Sequence, residues 1–198
     1  MYQITNIVLV RFLILFTSFP AFRNVFVAAD PNIISKSQWN GVEAVNELTR
    51  QSLPVGRVII LHTAGVECQN ADSCSQQVRN IQNYHLRSLH FDDIAYNFLI
   101  GNDGSIYEGR GWEFVSAAVK NYNVGSLSVA FIGTFESSTP STEALEAAQA
   151  LFDTGVRTGK LTEDYKLFGH RQLSTTSSPG ATLYEIIKRW PHWSRTVS

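Results

Sequence analysis

Apolar residues along this chain occur either in short continuous runs or at helical spacing, and turn residues separate the two patterns. Residues 57–63, RVIILHT, form a largely β-branched run bounded by proline and glycine, which predicts a buried strand. From Asp72 to Leu89 the apolar residues recur at roughly helical spacing, with Asp72 or Ser73 as a suitable N-cap. This part of the chain therefore predicts a strand, a loop and a helix.

The remainder of the chain continues the alternation of strands and helices. Two β-rich runs flank an Asn-Asp-Gly turn, which is typical of a hairpin. The predicted elements are, in order, this hairpin over residues 94–110, a strand over 126–135, a helix over 141–159, a short strand over 165–170 and a helix over 180–190. The pattern predicts an α/β fold, with a central mixed β-sheet flanked by about three helices.

The N-terminal segment has a different character. MYQITNIVLVRFLILFTSFPAF is apolar and lacks acidic residues, and Val27 and Ala29 have the small-residue spacing of a signal-peptidase site. We predict a signal peptide over residues 1–29, cleavage after Ala29 and secretion to the extracellular space. The alternative is a membrane anchor, but Arg11 leaves an apolar run shorter than the roughly 20 residues that a span needs.

Composition and charge limit the class of protein. With 44% hydrophobic residues and no internal repeat or Pro/Gly-rich linker, residues 30–198 predict one domain with a sizeable core. The formal net charge is -1, and no run of Lys or Arg alternates with aromatic residues. Neither nucleic acid nor an anionic membrane surface is therefore indicated as a partner.

The two cysteines, Cys68 and Cys74, are separated by a polar loop. In an oxidising compartment such a close pair favours a disulfide over a metal site, because no further metal-ligating residues are evident nearby. We expect the bond to hold the loop that follows His62 against the start of the next helix.

Five histidines are candidates for chemistry. His62 and His170 each close a predicted strand, and strand ends in an α/β sheet often converge on one crevice. A lone histidine beside an apolar strand is more often a core or rim residue. With His85 on the intervening helix and Tyr96 on the next strand, however, the pair also fits a polar groove.

Seven stretches of the chain, all in register, resemble the peptidoglycan recognition protein domain, which is related to phage-type zinc amidases. They are ISKSQW, VIILHTAG, CQNADSC, DIAYNFLIGNDGSIYEGRGW, VAFIGTF, GHRQLS and SPGATLYEIIKRWPHW. Together they extend from about Ile34 to Trp193. The resemblance implies an amidase-like peptidoglycan recognition fold, with a central mixed sheet, three main helices and a groove that holds a muropeptide stem.

The resemblance also bears on catalysis. Family members that act as amidases hold zinc with a His before the HT pair, the His of GHR and a Cys before PG, and a Tyr in DIAY assists. Here those positions hold Leu61, His170, Ser178 and Tyr96. A catalytic zinc needs about three protein ligands, which neither an alkyl group nor a neutral hydroxyl supplies. The resemblance therefore implies no catalytic residues, no metal ligands, no cofactor and no amidase activity.

By the same resemblance, several polar and aromatic residues contact the ligand. They are His62, Thr63, His85, His90, Phe91, Tyr96, Arg110, Asn123 and His170. Each has a plain structural alternative. His85 could be a solvated position of its helix, and Asn123 could be a turn residue.

The third residue of the stem is either lysine or diaminopimelic acid, and the markers for it conflict. Arg110 has a planar fork that could pair with the extra carboxylate of diaminopimelic acid. His90 and Phe91 stand where family members selective for diaminopimelic acid tend to carry Gly-Trp, and lysine-type members Asn-Phe. Ala118 and Val119 also replace a common His-Thr pair, which removes a polar contact from one wall.

The resulting interpretation is a secreted, non-catalytic pattern-recognition protein that binds bacterial peptidoglycan in innate immunity, upstream of an immune protease cascade or a receptor. A second class is an enzyme, either a residual amidase or a serine-type peptidase that uses Ser178 near His170. A third class is a partner that binds other recognition proteins and no muropeptide.

Overall fold

The structure is a computed structural model and describes residues 30–197. The predicted signal peptide over residues 1–29 and its cleavage site lie outside this range. The strands are β1 Ile33–Ile34, β2 Val55–His62, β3 Phe98–Ile100, β4 Ile106–Glu108, β5 Ser126–Phe131 and β6 Leu161–Gly169. The helices are α1 Ala71–Arg87, α2 Thr142–Arg157 and α3 Ala181–Ile187. In the described part of the chain, no helix has the length and apolar character needed to cross a bilayer.

The strands form one mixed sheet in the order β1-β4-β3-β5-β2-β6. β3 and β4 are the predicted hairpin and pair antiparallel, whereas the other neighbouring strands pair parallel. The prediction of a central mixed sheet with about three helices is confirmed.

Strand β2 lies inside the sheet, between β5 and β6. Its residues from Val58 to His62 are all buried, because the sheet is covered on both faces. Val58 and Ile60 belong to one core, and Ile59 and Leu61 belong to the other, as the alternation of side chains along a strand requires. A single continuous apolar run therefore supplies both cores.

The two cores lie on opposite faces of the sheet. The larger core includes Phe152 of α2 and Leu183 of α3. The other core includes Val78 of α1, together with Trp39 from the segment between β1 and β2. Leu61 packs into this second core, so the end of β2 meets α1 on that face.

Helix α1 begins slightly earlier than its sequence pattern predicts. Its N-cap is Asn70 rather than Asp72 or Ser73. The Asn70 side chain accepts a hydrogen bond from the backbone N–H of Ser73, and the Ser73 hydroxyl completes a capping box. The helix ends at Arg87, two residues before the predicted end.

Strand β6 is longer than predicted and ends sooner. It begins at Leu161, which is buried in the larger core, but the polar residues 162–164 that follow interrupt the apolar pattern. It ends at Gly169. His170 is therefore not the last residue of the strand, and instead opens a short 3-10 helix over His170–Gln172.

The predicted disulfide between Cys68 and Cys74 is present, with a Cα–Cα distance of 4.9 Å. Cys68 lies in the loop after β2, and Cys74 lies near the start of α1. Both side chains are buried in the core beneath α1. The bond thus ties the loop beyond β2 to the helix, as expected from the sequence.

Candidate ligand-binding groove

A groove of about 340 Å³ opens where β2 ends. Its walls come from the end of β2, the C-terminal end of α1, the segments before β3 and after β4, and the loop before α3. The described residues that line it are Leu61, His62, Thr63, Ala64, His85, Leu89, Phe91, Ala95, Tyr96, Ala117, Ala118, His170, Thr176, Ser177 and Ser178. Six of the predicted ligand contacts are among them, namely His62, Thr63, His85, Phe91, Tyr96 and His170.

His62 is the last residue of β2 and is only 5% exposed. Its Nδ1 accepts a hydrogen bond from the backbone N–H of Phe135 at 3.3 Å. Burial is the main influence on the pKa of His62 and lowers it, with smaller opposing effects from Glu136 and Arg171. A neutral ring whose Nδ1 accepts carries its proton on Nε2, so His62 keeps one donor for a ligand.

His85 lies in the last turn of α1 and has the same arrangement. Its Nδ1 accepts a hydrogen bond from the backbone N–H of Ala95 at 3.0 Å. The ring centroid lies 5.5 Å from that of Tyr96 and 5.8 Å from that of Phe91. Burial, with a smaller effect from the positive charge of Arg110, lowers the pKa of His85 to about 4. His85 is therefore neutral, buried and part of the groove, not a solvated position of its helix.

Thr63 and Tyr96 complete the predicted polar wall. The Thr63 hydroxyl accepts a hydrogen bond from the backbone N–H of Gly133 at 3.0 Å, which fixes its position just beyond β2. Burial raises the pKa of Tyr96 to about 12, so its hydroxyl stays protonated at neutral pH. Both side chains can donate and accept hydrogen bonds.

The three positions that correspond to zinc ligands do come together in the groove, but they do not fit a metal. The Leu61 side chain has no donor atom, and the Ser178 hydroxyl already accepts a hydrogen bond from the His62 backbone N–H at 3.1 Å. His170 is the single imidazole among these three positions. Burial lowers the pKa of His170, and the nearby His62 lowers it further. Among the described residues, no three His, Cys, Asp or Glu side chains form a group that could hold a metal ion.

Arg110 is placed beside the groove and not in its lining. Its Nε donates to the carbonyl of Ile94 at 2.8 Å, and its Nη1 donates to the carbonyl of Val115 at 3.0 Å. The nearby acid Glu113 does not occupy the guanidinium, because it pairs with Lys160. The guanidinium instead lines a neighbouring cavity of about 540 Å³.

His90 and Asn123 are also outside the lining. Asn123 accepts hydrogen bonds at Oδ1 from the Ser116 hydroxyl and from the backbone N–H of Val119, at 3.0 and 2.7 Å. Asn123 therefore holds the turn that precedes β5. This is the structural role that the sequence indicated as the alternative to ligand contact. His90 is exposed, and its φ of 55° lies in the left-handed region.

Several lining residues were not identified from the sequence. They are Ala64, Leu89, Ala95, Ala117, Thr176 and Ser177. Leu89 read as the last apolar position of a helix, but α1 ends before it and leaves its side chain 40% exposed at the groove. Thr176 and Ser177 belong to a loop whose only signal was its position between His170 and α3.

Comparison with known proteins identifies relatives over most of the chain. A profile of the N-acetylmuramoyl-L-alanine amidase family matches residues 51–181. The chain is 42% identical, over 173 residues, to peptidoglycan-recognition protein SD of Drosophila simulans, and the match covers 87% of this chain and 93% of that protein.

Solved structures with the same fold contain bound ligand. The complex of tracheal cytotoxin with the ectodomains of peptidoglycan recognition proteins LCa and LCx matches with a TM-score of 0.83 and 50% identity, over 83% of this chain and 99% of that chain. Peptidoglycan recognition protein LE, in complex with tracheal cytotoxin as a monomeric diaminopimelic acid-type peptidoglycan, matches with a TM-score of 0.81 and 42% identity. That match covers 82% of this chain and 95% of the other.

Proposed function

This chain belongs to the peptidoglycan recognition protein family, and from that premise we propose that its groove binds muropeptides of bacterial peptidoglycan without hydrolysing them. The protein then acts as a pattern-recognition molecule of innate immunity. The complexes of related proteins with tracheal cytotoxin support this proposal, because those proteins share the fold.

The observation that carries the proposal is the set of hydrogen-bonding groups in the groove. His62 and His85 each use Nδ1 on a backbone N–H, which leaves Nε2–H as a fixed donor. The Tyr96 hydroxyl is a further donor and acceptor, while Leu89 and Phe91 add apolar surface. Fixed polar groups beside apolar surface suit a peptide stem, whose amides need partners and whose side chains need contact.

Binding without amidase activity follows from the donor atoms that are present. A zinc-bound hydroxide at neutral pH requires about three protein ligands, and this site offers the imidazole of His170 with Leu61 and Ser178 beside it. No hydrolytic step through a metal can be derived from these side chains.

A serine-type mechanism is likewise disfavoured. Such a mechanism needs a histidine that takes the serine proton and a third group that orients the histidine. Nδ1 of His170 is buried, and no hydrogen-bond partner for it exists within residues 30–197. The Ser178 hydroxyl is bonded to the backbone of His62 and to no imidazole of the described chain.

The proposal includes the setting in which the protein works. An exported protein is supported by the apolar N-terminal segment of the sequence and by the Cys68–Cys74 disulfide, which suits an oxidising compartment. A recognition protein that lacks catalysis needs a downstream partner. We propose either another recognition protein, as in the LCa and LCx complex, or a component of an immune protease cascade.

The test combines binding and turnover. Purified protein should co-sediment with insoluble peptidoglycan and should release no stem peptide from soluble muropeptide, with or without added zinc. His62→Ala should weaken binding by at least tenfold, because it removes a fixed donor and its surrounding contacts. His192→Ala is the matched control, since His192 is exposed and lies against Tyr165 away from the groove.

Two results would contradict the proposal. Binding that is equal in the wild type and in His62→Ala would place the ligand elsewhere. Zinc-dependent release of stem peptide above a metal-free control would make the protein an amidase.

A further inference from the structure

The groove is lined without a single formally charged side chain. Within the described chain its lining consists of aliphatic, aromatic, hydroxyl and imidazole groups. The neighbouring cavity is the opposite case, with six charged side chains, namely Lys36, Glu43, Glu47, Arg50, Glu108 and Arg110. The absence of charge is therefore a property of the groove and not of this side of the molecule.

Charges close to the groove are opposed by charges of the other sign. Glu136 and Arg171, which act on His62 in opposite directions, form an ion pair at 3.6 Å. Near His85, the positive charges of Arg110 and Lys36 are opposed by Asp92 and Asp93. Each of these charges therefore has an opposite charge nearby, and their effects on a ligand in the groove oppose one another.

The imidazoles cannot supply a positive charge at low cost. In His62 and in His85, Nδ1 accepts a hydrogen bond from a backbone N–H. A proton added at Nδ1 would break that bond and leave two N–H donors facing each other. A carboxylate that lies against this lining, and not beside Arg110 in the neighbouring cavity, would lose water and would meet no cation in return. A carboxamide of the same shape carries no such penalty and finds both donors and acceptors among the hydroxyl and imidazole groups.

We propose that the groove selects muropeptides in which the second stem residue is amidated, D-isoglutamine, over those with the free acid, D-glutamate. This inference rests on the proposed function and adds the chemical class of stem that the groove prefers. Leu89 lies in this lining just beyond the end of α1, so it is a position at which a cation can be added to the groove.

The test uses two muramyl tripeptides that both carry lysine as third residue and differ only in D-isoglutamine or D-glutamate at the second. Calorimetric titration at pH 7.5 should give roughly tenfold tighter binding of the amidated fragment. Leu89→Arg should reduce this ratio to about one or invert it, because it adds a cation to the lining. Leu89→Met is the matched control and should keep the wild-type ratio.

The outcomes separate the inference from the proposed function. Equal binding of both fragments by the wild type, or tighter binding of the acid, would overturn the inference and leave the proposed function intact. A ratio in Leu89→Arg that equals the wild-type ratio would also overturn it, since the missing cation would then not be the cause. Binding of neither fragment would overturn the proposed function itself.

Discussion

Single residues of the groove combine two roles, because the atoms that hold them in place also fix their protonation. Nδ1 of His85 accepts a hydrogen bond from the backbone N–H of Ala95, and the residue is 6% exposed. A proton at this nitrogen would cost the hydrogen bond and would place a charge in a buried site. Burial and the nearby Arg110 accordingly lower the pKa of His85 to about 4. The stability of the folded protein should therefore depend on pH.

The sign of this dependence follows from proton binding. Below pH 6.5 the unfolded chain protonates His85, whereas the folded protein does so only near pH 4. The free energy of unfolding should thus be unaffected by His85 above pH 6.5, and should fall by roughly 2 to 3 kcal/mol by pH 4.5. Urea unfolding at pH 7.5 and 4.5 would measure this loss. In His85→Gln the free energy of unfolding should fall less between the two pH values, and the difference from wild type should equal the contribution of His85. An equal loss in both proteins would contradict the assignment.

The hydrogen bonds of Arg110 leave part of its guanidinium free to bind a ligand. Two of the five guanidinium hydrogens are used on the carbonyls of Ile94 and Val115, which leaves the outer edge of the fork for a carboxylate. We expect diaminopimelic acid-type fragments to bind better than lysine-type fragments by about one to two orders of magnitude. Arg110→Thr should abolish this preference while lysine-type binding changes little.

Calorimetry with both fragment types would measure the effect. Arg110→Lys is an informative control, because it keeps the charge and loses the planar fork and both anchoring bonds. Equal losses of affinity for the two fragments in Arg110→Thr would show that Arg110 does not read the third stem residue.

The zinc positions allow a test by gain of function. Leu61→His together with Ser178→Cys would place an imidazole and a thiolate beside His170, which makes three ligands of the kinds that zinc prefers. The double variant should retain stoichiometric zinc after dialysis, as measured by elemental analysis. Wild type and Leu61→His alone should retain none. A metal-free double variant would mean that the three side chains are not at ligand spacing.

At the scale of elements, α1 is the one whose position depends on a covalent bond. The Cys68–Cys74 disulfide closes a loop with a sequence separation of 6 residues. In the chain-entropy model a loop this short stabilises the folded state by roughly 2 to 3 kcal/mol. The double variant Cys68→Ser with Cys74→Ser should lose at least this much, because both side chains are also buried in the core. Urea unfolding of oxidised, reduced and variant protein would separate the two contributions. No difference between oxidised and reduced wild type would contradict the estimate.

The elements that could be predicted are those whose pattern is set by burial. β2, β5, α1 and α2 each carry a continuous or periodic apolar signal, because they pack against a core on one or both faces. β1 has only two residues, and polar residues 162–164 interrupt the start of β6, so neither leaves such a signal. The N-cap Asn70 was missed because several polar residues precede α1, and the capping geometry alone distinguishes them.

At the scale of the whole molecule, the groove illustrates what a sequence pattern conveys and what it does not. The residue types that define it were identified from strand ends and from resemblance, and six of them line one groove. Two placements depend on how separate loops pack against each other. Arg110 is bonded to the carbonyl of Ile94, and Leu89 lies in the wall of the groove. Contacts of this kind depend on backbone hydrogen bonds between segments that are distant in sequence, and the pattern of apolar and polar residues does not indicate them.

Helix α1 carries the disulfide near one end and a wall of the groove at the other. From Cys74 to His85 it rises about 16 Å, and a helix of this length behaves as a stiff rod. Mechanically it is a lever whose fulcrum is the sulfur bridge: a tilt of about ten degrees there displaces His85 by about 3 Å, given that rise. The width of the groove is thus set partly by packing at the far end of the lever. Substitutions around the fulcrum should change affinity without touching the ligand.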